Sequence, residues 1–145
     1  MRRRTLTCCL IAAALYFAAF VARADEPELS WDDLQNVKTH VAGEQSTVDF
    51  VPPLVALNGK QVTVRGWIVP INLNNATTVT SFILTGTPGT CPFCFGAGPE
   101  SFLLVTASKP IPVDVAAELD LKGRFETVQN DPTGFYYRLR DATVK

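Results

Sequence analysis

Two of the strand-like runs in this 145-residue chain carry a glycine at their centre, and that placement constrains the fold more than any other feature. In Gln61-Val62-Thr63-Val64-Arg65-Gly66-Trp67-Ile68-Val69-Pro70, polar and apolar residues alternate with the period of two that marks a half-buried strand. Val62, Val64 and Ile68 share one face if Gly66 marks a bend or bulge. Leu121-Lys122-Gly123-Arg124-Phe125 repeats the arrangement within a run over 119–128. Further strands are predicted over 79–85, 101–106 and 135–139. Turns are expected at Asn58-Gly59, at 72–76 and at Asn130-Asp131-Pro132-Thr133-Gly134, and a loop at Lys109-Pro110-Ile111-Pro112. Five strands, two of them bent at glycine, fit a small closed barrel of the OB type, which leaves no free sheet edge. A small β-sandwich is the alternative, because periodicity does not separate a closed sheet from two packed ones. The fold class expected is therefore mainly β, with a short helix ahead of the barrel.

That helix lies in a segment of different character. Ser30 is a good N-cap, Asp32 and Asp33 favour the positive end of a helix dipole, and Trp31, Leu34, Val37 and Val41 follow at helical spacing. The pattern predicts two to three turns near residues 31–38, with Leu34 and Val37 facing the core. Pro52-Pro53 is expected to force extended backbone before the main body. His40, the single histidine, then falls near a helix C-terminus, where its protonated form is favoured electrostatically.

Ahead of this, Met1–Arg4 is a basic stretch, Leu6–Val21 an apolar run, and Ala22-Arg23-Ala24 a small-x-small cleavage pattern. A signal peptide over 1–24, cut after Ala24, is expected, and with it a periplasmic or secreted protein. The apolar run is shorter than the roughly 20 residues that span a bilayer. Cys8 and Cys9 lie at the start of that run, where a lipidated cysteine would follow it. The domain division expected is thus 1–24 signal peptide, 25–53 helix and extended arm, and 54–145 barrel. All 14 acidic residues lie beyond residue 24, whereas Arg2, Arg3, Arg4 and Arg23 lie before it. Nine basic residues then face 14 acidic ones, a balance of −5. No basic stripe is left to neutralise phosphates, so nucleic acid is not an expected partner.

Cys91-Pro92-Phe93-Cys94 then holds the only two cysteines beyond residue 24. Thiolates three residues apart clamp a soft metal, cycle between dithiol and disulfide, or brace a turn. Thr87-Pro88-Gly89-Thr90 precedes the pair and Phe95-Gly96-Ala97-Gly98-Pro99 follows it, so it belongs to a turn-rich loop. A thioredoxin-type dithiol sits at the start of a long helix, which this glycine- and proline-rich continuation opposes. A c-type haem needs histidine where Phe95 stands. The loop suits a zinc-ribbon-like knuckle, but a closed zinc site needs four ligands. The missing ones would come from His40, from Glu100, or from the same pair in a second subunit, a homodimer joined through the cysteine loop. A thiol-exchange role and a passive local disulfide remain the other readings.

Other chemistry is sparse. Arg65, Arg124, Arg138 and Arg140 lie on predicted strands and read as the wet side of a sheet. Trp67, Tyr136 and Tyr137 read as core aromatics before they read as a stacking platform. One histidine, no phosphate-cradling glycine loop and no nucleophile elbow argue against hydrolytic or phosphoryl-transfer enzymology. No catalytic residue is assigned.

Four motifs between Leu57 and Val144 stand out: Leu57-Asn58-Gly59-Lys60-Gln61-Val62, Gly66-Trp67-Ile68-Val69-Pro70, Phe82-Ile83-Leu84 leading to a cysteine loop, and Tyr137-Arg138-Leu139-Arg140-Asp141-Ala142. In these the chain resembles the secreted bacterial family known as domain of unknown function 3299. Many members carry Cys-x-His at the loop, where this chain has a Cys-Pro-x-Cys variant. The resemblance implies that the Cys91 position carries over and that Cys94 replaces the histidine as second soft ligand. It also implies a likeness to proteins encoded near metal-uptake or export systems. The expectation is then an accessory protein binding zinc or copper through Cys91 and Cys94, with His40 and Glu100 as further candidate ligands. A membrane transporter or another periplasmic protein would be its partner. The different-class alternative is an interaction module whose cysteines only brace a loop.

Overall fold

A computed structural model of the chain describes residues 26–42, 45–71, 77–88 and 98–145. Seven strands run in chain order: β1 (Val37–Ala42), β2 (Gln45–Phe50), β3 (Gln61–Pro70), β4 (Thr78–Thr85), β5 (Phe102–Pro112), β6 (Glu118–Thr127) and β7 (Tyr137–Val144). Two short helices, α1 (Trp31–Gln35) and α2 (Pro52–Leu57), and a 3₁₀ turn at Pro99–Ser101 complete the described elements. Strands β3 to β7 close into a barrel in the order β3-β4-β5-β7-β6, and β1 and β2 form a separate antiparallel hairpin. Every neighbouring pair in the barrel is antiparallel except β5 with β7, which is parallel. This is the OB-like barrel expected from the strand pattern.

Closure depends on the two glycines. Strand β3 pairs with β6 over residues 61–67 and with β4 over residues 67–70, so Gly66 sits where the strand passes from one neighbour to the other. A Cβ there would fall 2.5 Å from the Thr85 carbonyl oxygen and 2.9 Å from Leu84 Cγ. At Gly123 a Cβ would meet Leu139 Cγ at 2.8 Å and the Arg140 carbonyl at 2.9 Å. The β6–β7 register shifts between Lys122 and Arg124, on either side of that glycine. Both positions therefore let a strand bend by letting backbones approach more closely than any side chain permits.

The interior is filled by alternate residues of the strands. Val62, Val64 and Ile68 share the buried face of β3 as predicted, and Phe82, Leu84, Leu103, Val105, Leu121, Phe125, Tyr137 and Leu139 join them at under 2% exposure. Tyr137 stacks on Phe125 with ring centres 5.8 Å apart and meets Phe50 at 5.7 Å.

The chain ahead of the barrel departs from expectation. Helix α1 ends at Gln35, and Val37, which helical spacing placed on the same helix, opens β1 instead. From Val37 the sequence Val-Lys-Thr-His-Val also alternates with period two and is rich in β-branched residues, and this local preference prevails. Ser30 does cap α1, its hydroxyl accepting from the Asp32 amide, and Leu34 is buried. Pro52 begins α2 rather than an extended arm, because a proline at the first helical position lacks only an N–H that would have gone unpaired. Strand β5 runs on through Lys109-Pro110-Ile111-Pro112, where a loop was expected, and buries Ile111 against the core. The seam tolerates two prolines at its end, next to a register irregularity between Val79 and Ser81.

Two of the devices that attach this N-terminal region to the barrel use backbone groups of the region itself. Gln129 clamps the hairpin, its side-chain amide donating to the Val48 carbonyl and accepting from the Val48 amide. Residues 27–29 run parallel to β3: the Leu29 amide donates to the Thr63 carbonyl at 2.7 Å, and the Thr63 amide to the Pro27 carbonyl at 3.0 Å. This strap covers the edge of β3 that β4 has not yet reached.

Candidate functional site

Cys91 and Cys94 lie outside the described residues, as does the predicted signal peptide. The roots of their loop are described. Strand β4 ends at Thr85, β5 begins at Phe102, and these two residues face each other in register, so the loop leaves and re-enters the barrel at one point. Thr85, only 4% exposed, turns its hydroxyl to the Thr87 carbonyl at 2.9 Å and holds the outgoing limb. On the returning limb, the Gly98 amide donates to Glu100 Oε1 at 3.1 Å and the Ser101 amide to the Gly98 carbonyl at 3.0 Å. Glu100 thus stands six residues beyond Cys94 on the same loop, with one carboxylate oxygen engaged in folding the turn.

Helix α1 packs beside these roots. The Trp31 indole N–H donates to the Arg65 carbonyl at 2.7 Å. Its ring lies on Gly86, where a Cβ would fall 2.5 Å from Trp31 Cγ. Beneath the helix, the Tyr137 hydroxyl donates to the Leu34 carbonyl at 2.7 Å. Burial, and then the nearby Glu100 carboxylate, push the Tyr137 phenol well above its ordinary pKa, so the group is a fixed donor. Between α1 and the loop roots lies a cleft of about 390 Å³ lined by Trp31, Asp32, Gln35, Thr87, Ser101 and Phe102, among others. Sequence reasoning did not find this cleft. Its one signal was a glycine directly after an apolar strand, at Gly86.

His40 is not at a helix C-terminus. It projects from β1, exposed, with Nε2 2.8 Å from Asp49 Oδ2 on β2. Lys38 is the register partner of Asp49, so this is a diagonal cross-strand pair. The two candidate ligands sit on different elements, His40 on β1 of the hairpin and Glu100 in the 3₁₀ turn that leads into β5. Among the described residues, no three His, Cys, Asp or Glu side chains gather as a metal cage.

The four arginines are committed to carboxylates. Arg65 Nε lies 2.7 Å from Asp120, Arg138 Nη2 2.6 Å from Asp131, Arg140 Nε 2.6 Å from Glu126, and Arg124 Nη2 3.3 Å from Asp141. Their charge is offset by these partners, on the exposed sheet surface for Arg65 and Arg124, whereas Arg138 is partly buried against an Asp131 side chain that is 1% exposed. Among the described residues, no helix is long and apolar enough to cross a membrane.

Residues 23–144 match the model of a sequence family described as a protein of unknown function, DUF3299. No curated protein matches the sequence. A crystal structure of a DUF3299 family protein from Pseudomonas aeruginosa PAO1 is similar, with a TM-score of 0.60 at 19% identity, covering 83% of this chain and 96% of that chain. At that identity the likeness is one of fold.

Proposed function

The chain belongs to the DUF3299 family, and on that premise we propose that it is an exported accessory protein that binds a soft transition metal, zinc or copper(I), through Cys91 and Cys94. The observation that carries this reading is where the pair sits in the chain. It lies in the connection between two antiparallel barrel strands whose ends are pinned together at Thr85 and Phe102. Two cysteines three residues apart in a glycine- and proline-rich connection are the half-site of a knuckle turn, whose sulfurs share one ion. Cys94 takes the place of the histidine in the Cys-x-His pattern of the resemblance.

Glu100 is the hard-donor ligand nearest in sequence, and binding would draw on the carboxylate that now folds the Gly98–Ser101 turn. His40 would have to coordinate through Nδ1, since Nε2 faces Asp49; such a carboxylate partner orients and strengthens an imidazole ligand. A second subunit's cysteine pair is the remaining source. Delivery to a membrane transporter or another exported protein is the role such a site serves.

The test is a titration of the reduced protein with zinc and with copper(I), following metal uptake, proton release and mass. Binding should release protons, because thiols ionise on coordination. Cys91→Ser or Cys94→Ser should remove most of the affinity, hydroxyls being poor soft-metal ligands. Glu100→Gln, His40→Ala and the stoichiometry of metal per chain identify the remaining ligands. Binding no tighter than that of the double-serine variant, with the pair recovered from cells as a disulfide, would remove the metal reading.

A further inference from the structure

We propose that a groove crossing Trp31 binds an extended peptide segment carrying a basic side chain, whose cationic head meets Asp32 while its apolar stem lies on the indole. The groove is lined by described residues other than the cysteine pair, and the proposal does not depend on the metal reading. The cleft between α1 and the loop roots shares Trp31 and Asp32 with a second cleft of about 540 Å³, on the side of Glu28, Leu29, Ser30 and Arg65. The two clefts meet at these shared residues, and together they offer more space than a single small cation would fill.

The chemistry of the groove's walls selects the occupant. The indole N–H is spent on the Arg65 carbonyl and Gly86 backs the ring, so Trp31 offers the groove only carbon surface. Such a surface takes an aliphatic stem, and its π-face attracts a cation. The Asp32 and Glu28 carboxylates make no hydrogen bond or ion pair among the described residues, whereas Arg65, the cation in the lining, is held by Asp120 through both Nε at 2.7 Å and Nη2 at 3.3 Å. The groove therefore carries two carboxylates with no hydrogen-bonded partner among the described residues, Asp32 and Glu28, the latter near enough to Arg65 to act on its charge, on a chain with five more acidic than basic residues beyond residue 24. This field steers cations toward it and repels anions. Gln35, Thr87 and Ser101 add the neutral donors and acceptors that a peptide backbone uses.

The experiment is a titration of the purified protein, followed by ¹⁵N chemical shifts, with the capped peptide Gly-Ser-Leu-Arg-Leu-Ser-Gly and with its citrulline counterpart, which keeps shape and removes charge. The arginine peptide should move the Trp31 indole and Gln35 amide signals saturably, and the citrulline peptide should bind at least tenfold more weakly. Asp32→Asn should bring the arginine peptide to the citrulline level. Asp33→Asn, one residue along the same first turn, should leave it unchanged. The Ser30 cap on the Asp32 amide is untouched by either variant, so both should fold. Equal binding of the two peptides would overturn the proposal. So would equal losses in the two variants, shifts centred away from Trp31, or no shift at millimolar peptide.

Discussion

Gly66 and Gly86 do the same service in two places: each leaves out a Cβ so that another group can lie against the backbone. Alanine at 66 would press on the Thr85 carbonyl, which belongs to a paired strand and cannot easily move. Gly66→Ala should therefore lower stability by about 2 kcal/mol in urea unfolding, within the range of overpacked interiors. Gly86→Ala presses instead on the Trp31 ring. It should break the bond to the Arg65 carbonyl and change tryptophan emission, at a cost of about 1 kcal/mol, that of one hydrogen bond. Asp131 poses a question of sign. Its side chain is 1% exposed, and burial alone would raise its pKa, but the amide and hydroxyl of Thr133 at 2.9 and 2.7 Å and the Arg138 guanidinium at 2.6 Å prevail and hold it below the usual carboxylate range. A depressed carboxyl contributes stability that is present above its unfolded pKa and lost as pH falls through the folded one. Asp131→Asn should thus destabilise the protein at neutral pH, and the gap to the wild type should narrow as pH is lowered below about 4, where the unfolded carboxyl titrates.

Among the elements, α1 has the weakest local claim to exist, since five residues are too few to be helical alone. It is held from beneath by Tyr137, whose hydroxyl supplies the bond to the Leu34 carbonyl. Tyr137→Phe keeps the ring packing and removes that bond, and should cost about 1 to 2 kcal/mol. Hydrogen exchange should show the loss concentrated in residues 31–36 and not in the barrel. The elements also separate what was legible in the sequence from what was not. Barrel strands announced themselves because a buried face repeats every second residue, and Gly66 and Gly123 announced the bends because nothing else fits at a corner. The N-terminal region was misread because Val37 and Val41 satisfy both a period of two and a spacing of four. Pro52-Pro53 reads equally as a barrier to helix and as the start of one. The cysteine loop is read from its residue types alone, since it lies outside the described residues, and the cleft at its root left no such signal. That cleft is made by Trp31 meeting Gly86 and Phe102, partners more than 50 positions along the chain. No local pattern records such a meeting.

For the whole molecule, the strap over β3 has a consequence in the order of the chain. Glu26 pairs with the Lys122 ammonium on β6, and the Lys145 amide donates to the Asp120 carbonyl two residues away on the same strand. The first and last described residues therefore lie beside one another, as domain termini often do. They can be joined by a linker of a few glycines and serines, and the chain reopened elsewhere without loss of a barrel pairing. A circular permutant cut between Gly43 and Glu44, in the connection of the hairpin, should keep the near-ultraviolet signature of the packed Tyr137 cluster and unfold in one transition. A permutant cut between Gln61 and Trp67 should not, because that stretch pairs with β6 on one side and receives the strap on the other. The contrast would show that this fold is specified as a ring, in which the position of the ends is incidental and the continuity of β3 is not.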